Sequence, residues 1–252
     1  MNKNIPAEYQ RFTIIDRVQH GILVVIFFAL TFSGWALKYP EIEKSKWLVT
    51  LMGGAKTAGI IHRVAGLSLL LLFALHVLYM AYMLLTGKMK VKLDTTIIPL
   101  PKDVTDMIKN IMYFTGLSKT KPQFGRFTYA HKFDYWAVFW GMGIIGLSGL
   151  FLTFPVQAAY LFPSWSVNWI WEVLFVMHSD EALLAIVFIL FFHFYNEHLR
   201  FDKFPMNMSW ITGKISIEDM KHEHPLEYEL EFGDKGSSGE SKDFLGYKEV
   251  DK

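Results

Sequence analysis

Apolar residues along this chain gather into four long blocks separated by polar segments. A helix rises about 1.5 Å per residue, so roughly 20 apolar residues cross a hydrocarbon core of about 30 Å. Residues 18–37, 58–85, 135–154 and 175–194 meet that length, and the pattern predicts a transmembrane helix over each. Every block closes on polar or turn-forming residues: Lys38-Tyr39-Pro40, Thr86-Gly87-Lys88, Pro155, and Asn196-Glu197. Between the second and third blocks, residues 88–132 are too polar to cross. Within them, residues 102–117 place Val104, Ile108, Ile111 and Met112 on one helical face, which suits a helix lying on the membrane surface. From Phe201 onward the chain is charged, and its apolar episode at 206–217 is too short to span and is broken by Gly213. The expected fold class is therefore an all-α integral membrane protein, a four-helix transmembrane bundle with an interfacial helix between spans two and three. Residues 1–200 form the expected membrane domain. Residues 201–252 form an expected cytoplasmic extension with a flexible tail around Gly-Ser-Ser-Gly.

Composition agrees: 52% of the 252 residues are hydrophobic, more than a water-facing surface of this size accommodates easily. The first apolar block is too long for a signal-peptide core and lacks a small-x-small cleavage site, so it reads as a retained helix. Charge sets the expected orientation. Lys88, Lys90, Lys92, Lys102, Lys109, Lys119, Lys121, Arg126 and Lys132 crowd the connection between spans two and three. Arg11 and Arg17 lie before span one, and Arg200 and Lys203 follow span four. The connection from Pro155 to Met177 has no basic residue and carries Trp165, Trp169 and Trp171, suited to an interface. The first connection, with Lys38, Lys44, Lys46 and Lys56 partly offset by Glu41 and Glu43, fits less well. Both termini are expected on the cytoplasmic side of a bacterial inner membrane.

The absence of cysteine changes the picture more. It excludes disulfides, c-type haem attachment, iron–sulfur clusters and thiolate zinc. Any redox cofactor must then be held by histidine or bound without a covalent link. Of nine histidines, His20, His62, His76, His178 and His193 fall within or at the edges of the spans. Ionisable side chains at membrane depth are costly and usually face the bundle interior or bind something. His62 and His76 are separated by fourteen residues, about 21 Å along a helix axis and nearly on one face. His178 and His193 are separated by fifteen, about 22 Å. Spans two and four run in the same direction, which puts His62 level with His178 at the outer side and His76 level with His193 at the inner side. His20 is also at the inner level. Neutral imidazole ligates haem iron, and two helices can clamp one porphyrin between them. Two stacked bis-histidine b haems follow, with either His20 or His76 opposite His193. A third haem would need a further ligand such as His131 or His198. Ala65, Gly66 and Ala182 are small enough for a macrocycle to approach. Arg17 and Arg63 are candidate propionate partners.

Several short motifs carry a resemblance. Arg17-Val18-Gln19-His20 opens span one, Ile61-His62-Arg63 opens span two, and His178 precedes His193-Phe194-Tyr195 in span four. Beyond the spans stand Gly213-Lys214-Ile215-Ser216, then Glu223-His224-Pro225 and Tyr228. Together these resemble the di-haem cytochrome b subunits of membrane-bound formate dehydrogenases and nickel–iron hydrogenases, over nearly the whole chain to about Tyr228. The resemblance implies that His62 and His178 hold the outer haem and that His20 and His193 hold the inner one. His76 departs from the formate dehydrogenase pattern. The family's quinone site, with an Asn and a Gln before a Lys at the start of span three, falls here on Thr128 and His131 before Lys132. A histidine there exchanges a proton near neutrality, or else caps the helix. Asp134 is a candidate proton relay. The implied function is electron transfer between a membrane quinone pool and a partner redox subunit in an oxidoreductase complex. Without cysteines of its own, the chain needs a partner carrying iron–sulfur clusters or several c haems. Lipid surrounds it, and no nucleic acid is expected as a partner. Two other classes stand beside this one: a proton-conducting or transport protein, and a haem-free membrane anchor of a respiratory enzyme. The first would be expected to show an inverted repeat or interrupted helices, and neither is present.

Overall fold

In the computed structural model the described residues are 5–88, 95–163 and 168–233. Lys90, Lys92, Trp165 and the Gly-Ser-Ser-Gly tail lie outside them. Four helices are long and apolar enough to cross a membrane: Ile14–Lys38 (α1), Ala55–Leu85 (α3), Tyr129–Thr153 (α5) and Trp169–Leu199. The last is α7, Asn168–Val187, continued by a π-helix over Phe188–Leu199. The fold is an all-α membrane bundle. Its apolar side chains point outward: Val25 is 70%, Leu71 62% and Phe191 77% exposed. Water would penalise that arrangement, whereas lipid satisfies it.

The expected spans are all present, and each begins earlier than apolar length suggests, spans three and four by the most. Span three starts at Tyr129 rather than 135, and span four at Trp169 rather than 175. In span three the added turn carries His131, Lys132 and Asp134, polar residues that a hydropathy window discounts. Each has a partner that makes the helical position tolerable. Lys132 reaches Asp103 at 3.0 Å, Asp134 reaches His193, and Thr128 and His131 cap each other.

The chain divides into two compact units. One runs from Phe12 through α3, and again from Asp134 to Gly213. Helix α1 begins with a reciprocal cap: Asp16 N–H donates to Thr13 Oγ1 at 3.2 Å, and Thr13 N–H donates to Asp16 Oδ2 at 2.8 Å. Such pairs satisfy amide donors that the first turn leaves open. Helix α1 packs along α3 and touches α7. The connection between spans one and two forms a short helix, Glu43–Leu51 (α2), and α6 covers Pro155–Leu161. After span four, Arg17 Nη1 donates to Ile211 O at 2.6 Å and fastens α8, Ser209–Thr212, to α1.

The other unit gathers the residues up to Arg11, those from 95 to Phe133, and those from Lys214 onward. Glu8–Gln10 (β1) pairs antiparallel with Lys214–Ser216 (β2), Tyr9 opposite Ile215. Ile215, Ile217 and Met220 form a small core against Tyr9, Tyr228 and Phe232. Glu227 is buried and lies between Arg11 at 3.2 Å and Arg126 at 2.8 Å. His224 Nδ1 donates to Gly125 O at 2.7 Å, and burial, with Arg11 and His131 nearby, lowers its pKa to about 2, so the ring stays neutral. The surface-helix segment forms α4, Pro101–Phe114. Val104, Ile108, Ile111 and Met112 are exposed, while Asp106 and Asn110 are buried against Lys102 and the Tyr129 hydroxyl. Polar inside and apolar outside reverses the pattern of a helix on a water-facing body, and it suits one resting on lipid.

Candidate haem sites

His62, on α3, and His178, on α7, face each other with ring centroids 6.1 Å apart and planes at 88°. A metal sits roughly 2 Å from a ligating imidazole nitrogen. The ring centroid lies about another 1 Å behind that nitrogen, so two imidazoles on opposite sides of one metal place their centroids roughly 6 Å apart. The pair matches that span.

The remaining ring nitrogens decide the tautomer. Ser33 Oγ donates its hydrogen to Ala29 O at 2.6 Å, so at 3.0 Å from His62 Nδ1 it can only accept. Nδ1 of His62 therefore carries the proton, and Nε2 keeps a free lone pair. The same arrangement repeats on α5. Ser148 Oγ donates to Ile144 O at 2.7 Å and lies 3.2 Å from His178 Nδ1, which also donates to Ile145 O at 3.0 Å. A metal-bound histidine normally has such a partner on its other nitrogen. Each serine is followed by glycine. A Cβ at Gly34 would lie 3.1 Å from His62 Cε1, and one at Gly149 only 2.8 Å from His178 Cε1. Two Ser-Gly pairs, one on α1 and one on α5, thus orient the two rings and make room for them.

The second pair is His20 on α1 and His193 in the π-helix, with centroids 6.3 Å apart. His193 Nδ1 donates to Asp134 Oδ2 at 2.5 Å, which again leaves Nε2 for a metal. A third imidazole joins them. His198 lies 5.3 Å from His193 and 5.9 Å from His20, centroid to centroid, and the ligand atoms of the three lie within 4.8 Å of one another. Trp210 closes one side, 5.4 Å from both His20 and His198. Residues five apart point about 140° away from each other on an α-helix. The i→i+5 bonding of a π-helix returns them to one side, and this is how His193 and His198 come together. His198 and Trp210 are the members of this site that helical periodicity does not expose. The sequence offers His198 only as a ligand for a third haem, and it is the spacing from His193, matched to a π-helix, that brings it to this site.

Among the described residues, His20 Nδ1, His198 Nδ1, Trp210 Nε1, Arg17 Nε and Asp134 Oδ1 are buried without a hydrogen-bond partner. Native interiors seldom leave so many such groups in one place. Histidine pairs at single-metal span, ordered tautomers and unpaired donors beside them fit haem with its carboxylate side chains.

His76 lies outside both pairs. Its Nδ1 is 2.9 Å from Gln19 Oε1 and its Nε2 3.0 Å from the Tyr135 hydroxyl, so both nitrogens are engaged. Arg63 is exposed, and Arg17 is half-buried. Ala65 is buried, Ala182 is half-buried, and Gly66 faces Leu30. At the head of α5, Thr128 N–H donates to His131 Nδ1 and His131 N–H donates to Thr128 Oγ1, both at 3.2 Å. The two residues cap the helix reciprocally. His131 also lies 5.8 Å from His224, ring to ring. Asp134, one turn on, is turned to His193.

No family model matches the sequence. Over 218 residues, 86% of this chain and 89% of the relative, it is 23% identical to the formate dehydrogenase, nitrate-inducible, cytochrome b556(Fdn) subunit of Escherichia coli (strain K12). The same subunit in Escherichia coli O157:H7 and in Shigella flexneri matches to the same extent. Similarity over nearly the whole of both chains supports the resemblance to the cytochrome b subunits of formate dehydrogenases.

Proposed function

We propose that this chain is a b-type cytochrome subunit that passes electrons between a membrane quinone pool and a partner redox subunit. It holds two haems, one by His62 with His178 and one by His20 with His193. The observation that carries this reading is the pair of imidazole couples at single-iron span, with Nδ1 of His62, His178 and His193 hydrogen-bonded so that Nε2 is free. A haem bound in this way takes up and gives back one electron at a time. The chain supplies orientation, spacing and a dry surrounding for it. The partner would carry iron–sulfur clusters or several c haems, as expected for a subunit without cysteine in an assembly related to the relatives' formate dehydrogenase. The chain sits in a bacterial inner membrane with both termini cytoplasmic. The proposed quinone contacts are those of the sequence resemblance, Thr128 and His131 at the head of α5 and Asp134 one turn on.

A dithionite-reduced minus oxidised spectrum of the purified protein is the test. Alpha and Soret bands of b type are expected, and a pyridine haemochrome assay should return two haems per chain. A spectrum without haem would sink the proposal. His76→Gln should keep both haems, because both nitrogens of His76 already have protein partners.

A further inference from the structure

The two histidine pairs differ in what holds the ring nitrogen opposite the metal. At His62 and His178 the acceptors are neutral: serine hydroxyls and the Ile145 carbonyl. At His193 the acceptor is the Asp134 carboxylate, only 2.5 Å away. Asp134 is 7% exposed, and among the described residues its Oδ1 has no hydrogen-bond partner. That carboxylate is therefore little exposed to solvent and lies directly against the His193 imidazole.

We infer that Asp134 is a positioning residue that holds His193 against the inner haem and lowers that haem's midpoint potential through its hydrogen bond to Nδ1. The inference rests on the proposed haem ligation. Two effects act in one direction. A charged acceptor draws the Nδ1 proton and makes the ring a stronger donor at Nε2, and ligand basicity of this kind is set by the outer partner. A buried negative charge also favours the more positively charged, oxidised iron. Neither effect operates at the outer pair. Chemically similar bis-histidine sites are thereby made unequal, which sets a driving force for the electron step between them. Helix α5 supplies both kinds of partner: Asp134 for the inner ligand and Ser148 for the outer.

The test is an equilibrium redox titration of the full-length, haem-loaded protein, followed at the alpha band. Wild type should resolve two components, and His20→Ala identifies the inner one by its loss. Asp134→Asn keeps the size of the side chain and offers a neutral acceptor, as the serines do. It should retain both haems and move the inner component to higher potential, leaving the outer one in place. Asp134→Glu restores a carboxylate and should return the inner potential toward the wild-type value. A role limited to holding the ring would leave the potential of Asp134→Asn unchanged. Two unshifted components, a downward shift, loss of the inner haem from Asp134→Asn, or an Asp134→Glu protein that behaves like Asp134→Asn would each overturn the inference. Absence of haem from the wild type would instead defeat the proposed function, before any variant is compared.

Discussion

The outer and inner histidine pairs present the same ring-to-ring span and are built by different means. The outer pair joins two α-helical positions, and each ring is seated by a Ser-Gly pair from a neighbouring helix. The inner pair joins α1 to a π-helix, includes a third imidazole, and orients His193 with a carboxylate. The outer site is thus fixed by close packing around the rings and the inner one by charge. A tight fit fails when atoms are added, whereas an electrostatic one fails when charge is removed.

The largest effects should come from the rings themselves. His178→Ala and His193→Ala should each halve the haem content measured by pyridine haemochrome, and a double substitution should abolish it. The two single variants should lose different components of the redox titration. If both lost the same component, the division into an outer and an inner pair would be broken.

Next in size are the glycines. Gly149→Ala places a Cβ 2.8 Å from His178 Cε1, a separation real Cβ atoms do not adopt, so the ring or the helix must shift. Overpacking of this kind costs about 1–3 kcal/mol. Here it should appear as a protein that binds the outer haem weakly while the inner component keeps its amplitude. Gly34→Ala, at 3.1 Å from His62 Cε1, should do the same to a lesser degree. Haem retention during gel filtration would rank the two.

Much of this was legible in the sequence, and what was not has identifiable causes. Apolar length located all four spans, because lipid leaves few ways to place twenty apolar residues. The spacings 62–76 and 178–193, with helix direction, put His62 beside His178, since the geometry of a straight α-helix is fixed. Where a helix departs from that geometry, residue spacing no longer reports which side chains meet. His198 looks remote from His193 at 100° per residue and becomes its neighbour only once the helix widens. The choice between His20 and His76 was open for a different reason, because depth alone does not say which way a ring points. The structure sets His20 against His193 and gives His76 to Gln19 and Tyr135. Ser33-Gly34 and Ser148-Gly149 were silent as well. Serine and glycine are ordinary in membrane helices, and their part here depends on ring atoms contributed by other helices. The Thr128–His131 cap, in contrast, was one of two roles the sequence offered for that histidine.

The smallest predicted effects lie within the outer pair and sharpen the comparison most. Ser33→Ala removes the hydroxyl 3.0 Å from His62 Nδ1 and leaves that ring its backbone contact to Leu30. Ser148→Ala removes the longer of two hydrogen bonds for His178, whose Nδ1 still donates to the Ile145 carbonyl at 3.0 Å. Loss of such an outer partner typically lowers metal affinity on the order of 10–100-fold. Each ring keeps a backbone partner, so both variants should fall at or below the low end of that range, measured by competition of apomyoglobin for the outer haem. Neither variant removes a charge, so both should move the outer midpoint potential less than Asp134→Asn moves the inner one. A shift as large in Ser33→Ala would mean that a neutral hydroxyl tunes the iron as strongly as a carboxylate, and the electrostatic difference between the two sites would disappear.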